Sequence, residues 1–82
     1  MREPYIGEII LFAGNYPPKG WCYCDGRLLD IRYHESLFCI LQDQYGGDMR
    51  NTFAVPKKKN PSIGGVYIIA LEGILPKRSE SN

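Results

Sequence analysis

The chain is poor in the residues that most often carry catalysis, metal binding and covalent cross-linking. Its 82 residues include one histidine, one tryptophan and three cysteines. An odd number of cysteines cannot form a complete disulfide framework, so reduced thiols are expected. The formal net charge is only +1, which provides no overall field to attract nucleic acid or an anionic membrane. The composition thus excludes a disulfide-stapled domain and gives no sign of nucleic-acid binding.

Long apolar runs are also lacking, since the longest cover residues 9–13 and 66–71 and a bilayer takes about 20 residues to span. Glu8 interrupts the first apolar stretch, so no signal peptide is predicted and synthesis in the cytoplasm is expected. With 44% hydrophobic and 23% charged residues, the composition is that of a globular protein. The length predicts one small domain over 1–76, followed by a polar tail over 77–82.

The pattern along the chain predicts a mostly-β (α+β) domain of short strands and hairpins with one helix. Strands are expected at 5–12, 21–24, 27–29, 52–55 and 66–71. Asp25-Gly26 predicts a hairpin turn between the second and third strands. The helix is expected to run from Tyr33 to Leu41, with Asp30 as its cap and an apolar stripe formed by Leu37, Phe38, Ile40 and Leu41.

The strand at 66–71 is apolar almost throughout, which indicates that both of its faces are covered. So small a monomer has few elements with which to cover them. We therefore predict a partner chain, most simply a second copy, that contacts this strand and residues 9–12. The interface residues predicted on the last strand are Val66, Ile68, Ile69 and Leu71.

The residues could in principle support zinc binding, thiol catalysis or glycoside cleavage, but purely structural roles fit them better. A zinc site would recruit Cys22, Cys24, Cys39 and His34, but His34 and Cys39 would lie on different sides of the helix. Cys24 with His34 could form a thiolate and its base, although no spacing orients the pair. Glycoside cleavage needs two carboxylates in a long groove, and the chain is too small to build such a groove comfortably. We predict no catalytic, cofactor-binding or metal-binding residues, and buried, inert cysteines.

A series of short motifs carries a resemblance to a known family. In order they are Gly7-Glu8-Ile9, Phe12-Ala13-Gly14-Asn15, Pro18-Lys19-Gly20-Trp21, Cys24-Asp25-Gly26-Arg27-Leu28-Leu29, Tyr45-Gly46-Gly47-Asp48 and Thr52-Phe53-Ala54-Val55-Pro56. Together they resemble the phage tail-collar domain of tail-fibre proteins and microcystin-dependent-protein-like chains, over residues 3–56. Residues 67–76 are similar to the closing strand of the latter. Lys57-Lys58-Lys59-Asn60 stands where the family usually continues into a long glycine-rich middle region, so this is a compact version.

The resemblance implies a non-enzymatic structural component of a phage tail fibre, or of a phage-derived particle such as a tailocin or contractile injection system. It also implies a self-associating attachment module, with a homotrimer favoured and other tail or baseplate proteins as partners. No cofactor, nucleic acid or membrane insertion is implied. The motif residues to which we assign structural roles are Gly20, Trp21, Cys24, Asp25, Gly26, Tyr45, Gly46, Gly47, Asp48, Phe53 and Pro56.

Elementary chemistry gives several of these residues a specific role. Trp21 is expected to anchor the core, and Tyr45, Phe53 and Phe12 to pack around the helix. Asp25 and Asp48 are expected to accept backbone N–H groups within their turns.

Two binding hypotheses remain beside the structural one. Lys57, Lys58 and Lys59 could contact a cell-surface polyanion or an acidic partner, or could form only a solvated loop. A free-standing module could recognise a surface glycan through Tyr16, Tyr23 and Tyr33, because aromatic faces suit sugar rings.

Overall fold

The structure, a computed structural model, describes residues 3–76; the polar tail predicted at 77–82 lies outside the described residues. Its strands are β1 (Ile9–Phe12), β2 (Trp21–Tyr23), β3 (Leu28–Asp30), β4 (Thr52–Ala54) and β5 (Val66–Ala70), and its helix is α1 (Glu35–Leu41). A 3₁₀ turn, Ile31–Tyr33, precedes α1. The predicted mostly-β domain with one helix is therefore confirmed.

The strands form two small sheets. One has the order β1-β5-β2 and the other pairs β3 with β4, and every pairing is antiparallel. In the first sheet Ile9 lies opposite Ile69, and Cys22 lies opposite Ile69 from the other side. The β-branched last strand is thus the centre of the larger sheet, which suits its apolar side chains.

The core lies between α1 and both sheets. Leu37 of α1 and Phe53 of β4 are fully buried, and the ring of Phe38 lies 5.4 Å from that of Phe53. Cys22 of β2 and Ile69 of β5 belong to the same buried cluster. The helix therefore joins two sheets that have no strand in common.

The predicted hairpin around Asp25-Gly26 is wrong, because its two arms belong to different sheets. β2 pairs with β5, whereas β3 pairs with β4. The turn instead carries the chain across, with the Gly26 N–H donating to Pro56 O at 3.3 Å. Pairing with strands distant in sequence places β2 beside Ile69 and β3 beside Phe53, both of which are fully buried.

Two elements begin two or more residues later than predicted. The first strand begins only at Ile9, because the chain turns at Gly7, whose φ is +88°. The helix begins at Glu35 rather than Tyr33, and Asp30 caps the preceding 3₁₀ turn by accepting the Arg32 N–H at 2.8 Å.

The last strand is covered within the chain. Ile68 and Ile69, which point to opposite faces, are both fully buried, while Val66 and Leu71 are half-buried. The inference that a partner chain must cover Ile68 and Ile69 is therefore wrong, because one chain already buries both side chains completely. Contacts of Val66 and Leu71 with a second chain stay a prediction.

Candidate functional site

Asp48 organises the loop between α1 and β4. Its Oδ1 accepts the backbone N–H groups of Asn51 at 2.8 Å, Thr52 at 3.0 Å and Arg50 at 2.9 Å. These donors hold the pKa of the Asp48 carboxyl well below its usual range. The expected role of Asp48 as the side chain that ties the glycine loop together agrees with these contacts.

Gly47 makes this loop possible by its lack of a side chain. Its φ is +101°, and an added Cβ would lie 2.6 Å from Thr52 O and would also meet the backbone of Phe53. Neighbouring Gly46 accepts the Ala54 N–H at 3.1 Å. The loop therefore lies directly on the backbone of β4 and positions its start.

Asp25 and Arg27 form a second ordered turn, between β2 and β3. Asp25 Oδ1 accepts the Arg27 N–H at 3.1 Å, and its Oδ2 lies 2.9 Å from Arg27 Nη2. Hydrogen bonds from the guanidinium lower the pKa of Asp25. Asp25 thus remains ionised as a turn-forming group, which does not suit a general acid.

A groove opens where this turn meets residues 57–60, which we call the lysine segment. We call the groove the lysine groove; its volume is about 300 Å³ and its walls are formed by Tyr23, Cys24, Asp25, Lys57, Lys58, Asn60, Val66 and Tyr67. Lys58 N–H donates to Cys24 O at 2.9 Å, and Lys57 forms an isolated bridge with Asp25. The lysine segment is therefore paired to the body of the domain along its backbone. Asn60 and Tyr67 were missed as site residues, because only the tertiary structure brings the start of β5 against this segment.

The cysteines and the histidine do not form a common site. Cys24 lines the lysine groove, whereas His34 lines a different groove beside Tyr33. Burial raises the pKa of the Cys24 thiol, and raises that of Cys22 to about 11, so neither is a ready thiolate. The expected burial is wrong for Cys39, which is exposed. Among residues 3–76 no group of three or more His, Cys, Asp or Glu side chains is placed to hold a metal ion.

Two of the three tyrosines considered for glycan binding line different grooves. Tyr16 and Tyr33 are each 74% exposed, but Tyr33 belongs to the groove beside His34 and Tyr23 to the lysine groove. The Tyr23 hydroxyl donates to Asn15 O at 2.6 Å, which fixes its ring. Tyr23 and Tyr33 therefore line different grooves, and glycan binding through the three tyrosines stays a prediction.

Two predicted core aromatics lie closer to the surface than expected. Tyr45 is 47% exposed in the loop that follows α1. Trp21 is half-buried in a shallow groove with Gly20 and Glu72 rather than in the main buried cluster. Phe53 takes the central position instead, as predicted, and Phe12 is half-buried at the end of β1.

Strand β1 carries the largest run of adjacent exposed apolar side chains on a strand in the described part of the chain. Ile9 is 37% exposed, Ile10 36% and Leu11 44%. Because successive residues of a strand point to opposite faces, both faces of β1 are incompletely covered. Separately, no helix within residues 3–76 has the length and apolar character to cross a membrane.

Comparison with known proteins identifies the family. No curated protein and no solved structure matched the chain. A model of the Phage Tail Collar Domain family matches residues 7–60, which include the Asp25 turn, the Asp48 loop and the lysine segment. Since the match covers more than half of the chain, the protein belongs to the phage tail collar domain family, a family of structural domains in phage tail fibres.

Proposed function

We propose that this collar domain is a non-enzymatic, self-associating attachment module of a phage tail fibre, or of a phage-derived particle such as a tailocin or contractile injection system. Family membership supports the tail setting. The main support for self-association comes from the edge strand β1, where three adjacent apolar side chains remain partly exposed on both faces. A homotrimer is the expected assembly, with other tail or baseplate proteins as further partners.

The edge of β1 can contribute two kinds of contact to an interface. Within residues 3–76 no strand lies beside its outer backbone groups in the sheet order β1-β5-β2, and such an edge can pair with another chain. Burying the exposed two-fifths of Ile9, Ile10 and Leu11 would contribute roughly 1 kcal/mol each, because complete burial of such a side chain contributes about 1.5–3 kcal/mol. We therefore expect β1 to be one part of a larger interface and the oligomer to dissociate on dilution.

Light scattering on a sizing column, across a dilution series, tests this proposal. The wild-type chain should reach a mass of three times 9.3 kDa at the highest concentration. Leu11→Lys should raise the concentration at which the oligomer half-dissociates by about tenfold, since it removes apolar contact and places a charge at the interface. Leu28→Lys is the matched control, because Leu28 is 59% exposed on β3 of the other sheet.

The outcomes separate the parts of the proposal. A chain that stays monomeric at the highest concentration would refute self-association. A dimer would support pairing of two β1 edges about a two-fold axis and would rule out the trimeric assembly. Equal weakening by both variants would show that β1 is not the interface. Circular dichroism should show that both variants keep the fold.

A further inference from the structure

We infer that the lysine groove is a binding site for an acidic saccharide, a sugar unit carrying a carboxylate. The inference goes beyond self-association, since every residue that it uses lies within one chain. It depends on three features of the groove, namely fixed walls, unpaired cations and ring surfaces.

The walls are fixed by a chain of hydrogen bonds through the backbone. Lys58 N–H donates to Cys24 O at 2.9 Å, and Cys24 N–H donates to Tyr67 O at 3.0 Å. Tyr67 N–H in turn donates to Asn60 Oδ1 at 3.2 Å, which closes the lysine segment back onto the start of β5. The groove is therefore formed before any ligand arrives, which reduces the ordering cost of binding.

The cations of the groove are held in place but not neutralised. Lys58 Nζ lies 4.9 Å from the centre of the Tyr67 ring, a cation–π distance that positions the ammonium without cancelling its charge. The stem of Lys57 packs on Gly26, where an added Cβ would lie 3.3 Å from Lys57 Cβ. Asp25, the acidic residue of the groove, is already paired with Arg27. Within residues 3–76 neither lysine forms an ion pair, so both are available to an anion.

The rest of the lining favours a sugar over a simple polyanion. Tyr23, Tyr67 and Val66 line the groove beside the lysines, and the apolar parts of such side chains suit contact with the C–H groups of a sugar ring. Asn60 Oδ1 accepts the Tyr67 N–H, so the amide N–H₂ group of Asn60 can donate to a hydroxyl or carboxylate of the ligand. A volume of about 300 Å³ is at the lower end of the range for ligand sites and suits one or two sugar rings.

The test is a titration of the isotope-labelled full chain with trigalacturonic acid, followed by NMR. Its neutral methyl ester is the matched probe, because it keeps the rings and removes the charge. We expect trigalacturonic acid to shift the amide signals of Lys58, Asn60 and Tyr67, and the ester to bind about tenfold or more weakly. Lys58→Gln should weaken acid binding by about tenfold. Lys19→Gln, the same charge change in a different groove, should leave it unchanged.

Each other outcome overturns the inference. Equal binding of acid and ester would show that the lysines do not recognise the carboxylate. Equal weakening by Lys58→Gln and Lys19→Gln would show only general charge attraction. An oligothymidylate that binds the same residues more tightly than trigalacturonic acid would indicate phosphate recognition instead of a saccharide site. If no amide signal shifts at trigalacturonic acid concentrations up to about 10 mM, well above the roughly 1 mM Kd of a weak site, the lysine groove does not bind this saccharide.

Discussion

Replacement of Gly47 by alanine gives a direct test of how the glycine loop supports β4. Gly47 and Gly64 both have positive φ, +101° and +111°, but their surroundings differ. A Cβ on Gly64 would have no atom within 4 Å, whereas one on Gly47 would lie 2.6 Å from Thr52 O. Gly64→Ala therefore measures the cost of the backbone conformation alone, and Gly47→Ala adds the contact with β4.

Two separate effects lower the free energy of unfolding in these variants. A residue with a side chain at such a φ costs about 1–3 kcal/mol, partly offset because alanine restricts the unfolded chain. At Gly47 the Thr52 carbonyl lies about 0.8 Å inside the 3.4 Å at which ordinary contact begins, so the loop must move. That movement would break bonds such as Ala54 N–H to Gly46 O and Met49 N–H to Thr52 O, each contributing about 1 kcal/mol.

We therefore expect Gly47→Ala to destabilise the protein by about 2 kcal/mol more than Gly64→Ala. For a chain of this length, whose total stability is about 4–12 kcal/mol, that is a large fraction. Urea unfolding followed by circular dichroism measures the difference directly, and the melting temperatures should differ by about 8–16 °C. Equal destabilisation by the two variants would refute the reasoning, since it would show that contact with β4 adds nothing.

Two further predictions concern ionisation and thiol exposure. Asp48→Ala should destabilise the protein at neutral pH. Its difference from wild type should begin to shrink as pH falls towards the ordinary carboxyl pKa of 3.8, where the unfolded chain takes up a proton that native Asp48, with its lowered pKa, does not. The rest of the difference should be lost only as pH falls further, through the lowered native pKa. Asp43→Ala, at an exposed carboxylate, is the control, and a Asp48→Ala difference independent of pH would contradict the assignment. A thiol reagent should modify Cys39 quickly in the native protein, and Cys22 and Cys24 only after unfolding. Rapid native labelling of either buried thiol, located by mass spectrometry, would show that β2 opens readily.

Residues close in sequence account for the features that could be predicted. Asp48 and the N–H groups that it binds lie within five consecutive residues, and Asp25 lies two residues from Arg27. The apolar stripe of α1 likewise repeats within two helical turns. Such contacts are set by spacing and side-chain chemistry, so no knowledge of the remaining chain is needed.

The sequence by itself thus determined the fold class, the family and the two acid-centred turns. The pairing of strands is set by the tertiary structure: the Asp25-Gly26 turn joins two sheets, and β5 lies between β1 and β2 within one chain. The tertiary structure also decided that Phe53 fills the core while Tyr45 is exposed, and that Asn60 and Tyr67 complete the lysine groove. The physical reason is that pairing between strands distant in sequence depends on the apolar cover that the whole chain can supply, which no local pattern specifies.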